Sequence, residues 1–143
     1  MTKKQFAIVF LLTSIFLNAQ NQLWQGYFSY NQVTDISQSN EAFYAATENA
    51  LFSKNLGTNN LTTVNSVDGL KAESISSLFY SESFQKTFFG NTNGLLLIKN
   101  SNGEFLYKNG IVEELPVSPF IKKINHITEF QNNVYLACDY GIS

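Results

Sequence analysis

An all-β fold made of repeated, four-stranded sheets is what this sequence predicts. Three observations carry the reading. Short apolar runs alternate with turns bearing Asn and Gly, helix signals are scarce, and one phrase is written three times at near-constant spacing. The phrase is "FYAATENALF" at 43–52, "TFFGNTNGLL" at 87–96 and "VYLACDYGIS" at 134–143.

The first nineteen residues stand apart from that repeat. Lys3 and Lys4 give a charged start, Phe6 to Leu17 form an apolar run of twelve residues, and Ala19 supplies a small residue at a cleavage point. The run is too short for the roughly 20 helical residues that cross a bilayer. It reads as a secretory signal peptide over 1–19, with a mature chain starting at Gln20. Leu17 is larger than the residue usual three positions before a cut, and no cysteine follows the run to carry a lipid.

Strand candidates then follow one another. They are "YFSY" (27–30), "AFYAAT" (42–47), "LTTV" (61–64), "TFFG" (87–90), "LLLIK" (95–99) and "EFLYK" (104–108), all short and rich in aromatic and branched residues. The 17 asparagines fall largely between such runs, where Asn favours turns over helix interiors. "NSNGE" (100–104) carries the Asn-Gly chemistry of a hairpin.

Aligning the phrases on Ala50, Gly94 and Gly141 gives intervals of 44 and 47 residues, in the range of propeller blades. Tyr44, Phe88 and Tyr135 form an aromatic column, and Ala46, Gly90 and Ala137 a small one. Leu51, Leu95 and Ile142 form an aliphatic column. Upstream, Val33 and Ile36, Ile75 and Leu78, and Ile124 and Ile127 open the units with aliphatics three apart. Two extra residues near "SESFQK" (81–86) indicate a longer hairpin turn in the second unit. Small residues let inner strands approach across neighbouring blades, while aromatics fill the space between their faces. The expected architecture is a β-propeller, with residues 20–143 as its opening two to three blades and the third unit stopping early at Ser143. It reads as the N-terminal part of a longer array, since rings usually need four to eight blades.

Composition narrows the function. The chain has 9 Lys, no Arg and 11 acidic residues; without 1–19, seven lysines against eleven acids leave a charge of −4. An acidic chain without arginine argues against nucleic acid, which is held through Lys and Arg on phosphates. Cys138 is the only cysteine, so no internal disulfide forms, and its strand-like setting reads as a small buried residue. His126 is the only histidine and has no Cys or His at ligand spacing, so it reads as a surface or core residue rather than a metal ligand. Glu113 and Glu114, taken as strand neighbours on a solvated edge, point to opposite faces and cannot share a substrate. "NTNG" and "NSNG" lack a following Lys or helix, so no phosphate loop is expected. Asn60-Leu61-Thr62 is a bare glycosylation sequon, and Trp24 and Tyr27 read as packing residues of the first strand. No catalytic, cofactor-binding or metal residue stands out.

A family resemblance enters on these residues. "VDGLKAESISSLFY" (67–80) followed by "TFFGNTNGLLLIKN" (87–100) resembles the two-component-regulator type of propeller blade, with Gly69-Leu70, Ile75, Leu78 and Phe88 to Leu95 in its places. Its usual Thr is kept as Thr47 and replaced by Asn91 and Cys138. The opening 23–55 is more particularly similar to PorZ-like N-terminal propellers of the type IX secretion system. That resemblance implies an exported, non-enzymatic protein at the cell surface and outer membrane. It would work with a sortase-containing attachment complex that joins secreted cargo to anionic lipopolysaccharide. It implies no cofactor, and no ligand-binding residue carries over. The same blade type also occurs in the periplasmic, ligand-sensing propellers of hybrid two-component histidine kinases, so that alternative stays open.

Overall fold

The computed structural model describes residues 32–71 and 74–143. The signal segment, "YFSY", Trp24 and Tyr27 lie outside the described residues. Three antiparallel sheets follow one another along the chain. The first holds β1 (Val33–Gln38), β2 (Ala42–Thr47), β3 (Leu51–Asn55) and β4 (Leu61–Val64), and the second holds β5 (Ile75–Ser81), β6 (Lys86–Asn91), β7 (Leu96–Lys99) and β8 (Phe105–Lys108). The third holds β9 (Ile124–Phe130), β10 (Asn133–Cys138) and β11 (Gly141–Ile142). Every sheet is a meander in chain order. This is the all-β blade architecture that the repeat predicts.

The aliphatic pairs three apart have a common cause. In each sheet the first strand bulges between Val33 and Asp35, between Ile75 and Ser77, or between Ile124 and His126. One extra residue in the bulge changes the spacing of same-face residues from two to three. Ile75, Leu78, Ile124 and Ile127 are accordingly buried, at most 4% exposed, whereas Val33 and Ile36 of the first sheet are 53% and 68% exposed.

Period-two alternation along β6 divides the core in two. Phe89 points toward the first sheet, into a cluster with Ala46, Leu51, Leu70, Ile75, Leu78, Leu95 and Leu97. Phe88 points the other way, into a cluster with Ile111, Ile124, Ile127, Leu136 and Cys138. The same columns thus recur at both interfaces between sheets, as stacked blades require. Burying side chains of this size stabilises by about 1.5–3 kcal/mol each, so these two layers are the main favourable term.

The small column is set by sterics. A Cβ on Gly90 would lie 2.3 Å from Ser77 Oγ and 2.5 Å from Ile124 Cγ2, so the first strand of the third sheet occupies the room a side chain would need. Ala46 at the equivalent place is fully buried.

Strand pairing shifts the loop alignment at one point. Thr47 N donates to Ala50 O at 2.8 Å, and Asn91 N donates to Leu95 O at 3.0 Å. The partner of Ala50 is therefore Leu95, and Gly94 is an added residue in the β6–β7 loop. The aliphatic column runs through Leu51, Leu96 and Ile142, which pair with Ala46, Gly90 and Ala137. The two extra residues near 81–86 are where the sequence places them: residues 82–85 form the β5–β6 turn, against only 131–132 between β9 and β10.

Two connections carry helical turns that the strand reading did not include. Ser66–Asp68 form a 3-10 turn closed by a capping box, in which Asn65 Oδ1 accepts from Val67 N and Asp68 Oδ2 from Asn65 N. It delivers Leu70 between the sheets. The second is α1 (Gly110–Glu113), which delivers Ile111 to the other interface. Glu113 lies in α1 and Glu114 caps it, so they do not sit on a strand edge; both are exposed. Buried Lys122 ties α1 down, its Nζ donating to Val112 O at 2.6 Å.

Three substitutions test this account. Gly94 has φ +91°, and a Cβ there would lie 2.6 Å from Ile111 Cγ2 and 3.0 Å from Lys122 O. Gly94→Val is expected to destabilise the protein by about 3 kcal/mol in denaturant unfolding, combining a disfavoured backbone with overpacking. Gly103 has φ +89° but open space around it, so Gly103→Ala should lose only about 1 kcal/mol. Asn91 is fully buried with both amide atoms unpartnered, whereas Thr47 at the same register donates to Ala50 O. Asn91→Thr should therefore raise stability by about 1 kcal/mol, read in the same titration.

Candidate functional site

The three first strands start side by side at one end of the stacked sheets, and a cleft of about 550 Å³ opens there. Its walls come from the start of β1 (Gln32, Thr34), the start of β5 (Ser74, Ser76), the loops after β2 and β6 (Glu48, Thr92) and Lys123 ahead of β9. The volume lies within the roughly 300–1,000 Å³ of small-molecule sites.

Its polar groups are mostly engaged in joining the sheets. Ile75 N donates to Glu48 O at 2.8 Å, and Ser74 Oγ donates to Glu48 Oε1 at 2.9 Å. Thr34 and Ser76 are the extra residues of their bulges, and each hydroxyl donates to the carbonyl of the small column, Ala46 O or Gly90 O, at 3.1 Å. Ser76 Oγ also lies 2.7 Å from Ile124 O in the third sheet. Among the described residues, no histidine or cysteine lines the cleft. Among the described residues, no group of three His, Cys, Asp or Glu is placed to hold a metal ion.

Further polar links run deeper between the sheets. Leu78 N donates to Asp35 Oδ2 at 2.7 Å and Tyr80 N to Ser37 Oγ at 2.8 Å. Side chains of β1 thereby satisfy amides on the edge strand β5, which would otherwise offer itself to another chain. At the next interface Glu129 is held instead by the hydroxyls of Ser81, at 2.5 Å, and Ser83. Those two donors lower the carboxyl pKa of Glu129 below its ordinary value, against a smaller opposing effect of desolvation.

The residues singled out from sequence scatter. His126 is exposed on β9, Asn60 is exposed beside β4, and Cys138 is buried at the sheet interface, where desolvation raises its thiol pKa. None of them meets another in a site. Sequence reasoning did not find Glu48, Asp35, Ser76 or Glu129. The signal available for Thr34 and Ser76 was their place between the paired aliphatics.

Residues 43–143 match the family described as "TSS9, PorZ, N-terminal beta-propeller domain". Among solved structures, the chain resembles that of PorZ from Porphyromonas gingivalis, described as an essential bacterial surface component of the type IX secretion system. The TM-score is 0.65 at 19% identity, covering 74% of this chain and 14% of that one. The computationally designed Ika4 protein also aligns, with a TM-score of 0.46, 9% identity, and coverage of 83% of this chain and 92% of that one. No curated protein matches the sequence.

The Glu129 contact gives a pH test. A depressed folded-state pKa stabilises above the unfolded value and is lost as pH falls through the folded one. Glu129→Gln should therefore lower Tm at neutral pH, and the gap to wild type should narrow below about pH 4. A gap that stays constant from pH 7 to pH 3 would refute the contact.

Proposed function

The chain belongs to the PorZ N-terminal β-propeller family of the type IX secretion system, and from that membership we propose that it serves as a non-enzymatic surface scaffold of protein secretion. It assists a sortase-containing complex that attaches secreted cargo to anionic lipopolysaccharide. The family match over residues 43–143 carries this reading. The geometry supports it. The hydroxyls of Thr34 and Ser76 at the cleft donate to backbone carbonyls and Ser74 donates to Glu48, so the polar groups there brace sheets rather than form a nucleophile with a base. The chain spans 14% of the PorZ chain it resembles, so cargo attachment and its partners are assigned to the whole protein.

In this role the protein stands at the outer surface, exported by the segment at 1–19, and presents the ends of its sheets to protein partners. A deletion strain tests the proposal by two measurements, cargo retained on the cell surface and transcript abundance. The expected outcome is cargo that is secreted but poorly processed and poorly anchored, with transcription little changed. Normal anchoring with an altered transcriptional response would transfer the assignment to a sensing propeller.

A further inference from the structure

Three Asn-Gly pairs occur in the chain, Asn93-Gly94, Asn102-Gly103 and Asn109-Gly110. Each is open to the same intramolecular reaction, because glycine has no Cβ to shield its amide nitrogen from the preceding side chain. That nitrogen, its proton lost to solvent base, attacks the Asn Cγ. An N–Cγ bond forms, the Cγ–Nδ2 bond breaks, and Nδ2 leaves as ammonia, taking a proton from water. Water then opens the succinimide ring to aspartate or, through the other carbonyl, to isoaspartate. The dipeptide sequence treats the three pairs alike; the fold does not.

Attack requires the Asn–Gly backbone and the Asn side chain to turn toward each other, so whatever fixes them slows the reaction. Asn93 is held: its Oδ1 accepts from Leu95 N at 2.9 Å, and Gly94 N donates to Asn91 O at 3.2 Å. Gly94 is also buried and packed, since a Cβ there would lie 2.6 Å from Ile111 Cγ2. Asn102 is held as well. Its Oδ1 accepts from Glu104 N at 3.1 Å, its Nδ2 donates to Glu104 Oε2 at 2.8 Å, and Gly103 N donates to Asn100 O at 3.0 Å.

Asn109-Gly110 lacks these restraints. Both residues are exposed, and Asn109 makes no side-chain cap to α1. Among the described residues, nothing accepts from Gly110 N, and a Cβ on Gly110 would meet nothing within 4 Å. One bond resists the turn, from Glu113 N to Asn109 O at 2.8 Å, and it lies at the exposed start of a four-residue helix, where local opening is easiest.

We propose that Asn109-Gly110 is a site of spontaneous deamidation, singled out by the fold from three pairs of equal sequence. The reaction needs neither enzyme nor cofactor and is independent of the secretion reading. Isoaspartate adds a methylene to the main chain directly ahead of α1, which sets Ile111 in the core cluster with Phe88 and Ile124 and offers Val112 O to buried Lys122. The modification therefore loosens the interface between the second and third sheets.

The test is incubation of the whole folded protein in mildly alkaline buffer, followed over time by peptide mapping with mass spectrometry. Asn109 should convert about tenfold faster than Asn102 or Asn93, the difference expected when hydrogen bonds hold the competing pairs. In concentrated guanidinium chloride the three should convert at similar rates. Gly110→Ala adds a Cβ in open space, so it should slow conversion at Asn109 about tenfold without lowering Tm. The isoaspartate form, separated by ion exchange, should melt below the unmodified protein. No conversion at Asn109, faster conversion at Asn102 or Asn93, the same ranking in guanidinium, or an unchanged rate in Gly110→Ala would overturn the site. Equal melting of the two forms would overturn its effect on the interface.

Discussion

Close approach of neighbouring first strands is the constraint on which the molecule depends. Where β5 meets β9, Ile124 fills the volume that a side chain at Gly90 would claim. That approach brings Ser76 Oγ within 2.7 Å of Ile124 O and lets Phe88 meet Ile124 and Ile127 in one cluster. On the other side, β1 and β5 are near enough for Asp35 and Ser37 to reach the amides of Leu78 and Tyr80. Apolar burial is the larger energy, but the backbone spacing decides which side chains share it.

Much of this order is legible in the sequence because it rests on short-range periodicity. The bulge appears as aliphatics three apart, and the small column as Ala46, Gly90 and Ala137, because both follow from backbone geometry repeated in every unit. What eludes reading has physical causes too. Gly94 looks like the counterpart of Ala50, yet only the bonds from Asn91 to Leu95 and from Thr47 to Ala50 reveal the added residue. The helix α1 has four residues, and Asn109 ahead of it makes no side-chain cap, so no start signal marks it. The partners of Glu129 lie 46 and 48 residues away, and no local pattern announces such a meeting.

The two interfaces share their apolar columns but differ in polar chemistry. One is laced by β1 side chains accepting from β5 amides; the other by serines of the second sheet reaching Ile124 O and Glu129. Asn91 and Ser77 remain buried with unpartnered side-chain atoms, a cost that neither Thr47 nor Cys138 incurs at the register of Asn91. The repeat therefore conserves shape more strictly than hydrogen bonding. Variation in the polar positions gives each gap its own bridge, Asn40 N to Glu82 in the first and Ser81 and Ser83 to Glu129 in the second.

The chain-order meander of each sheet has a kinetic meaning. β1 to β4 pair only with sequence neighbours, so one sheet can assemble from hairpins that close short loops, at small entropic cost for each. Contacts between sheets then join units adjacent in the chain, as Phe89 and Leu78 do with Ala46 and Leu51. A polypeptide of this kind can fold progressively from its N-terminal side, each finished sheet templating the next.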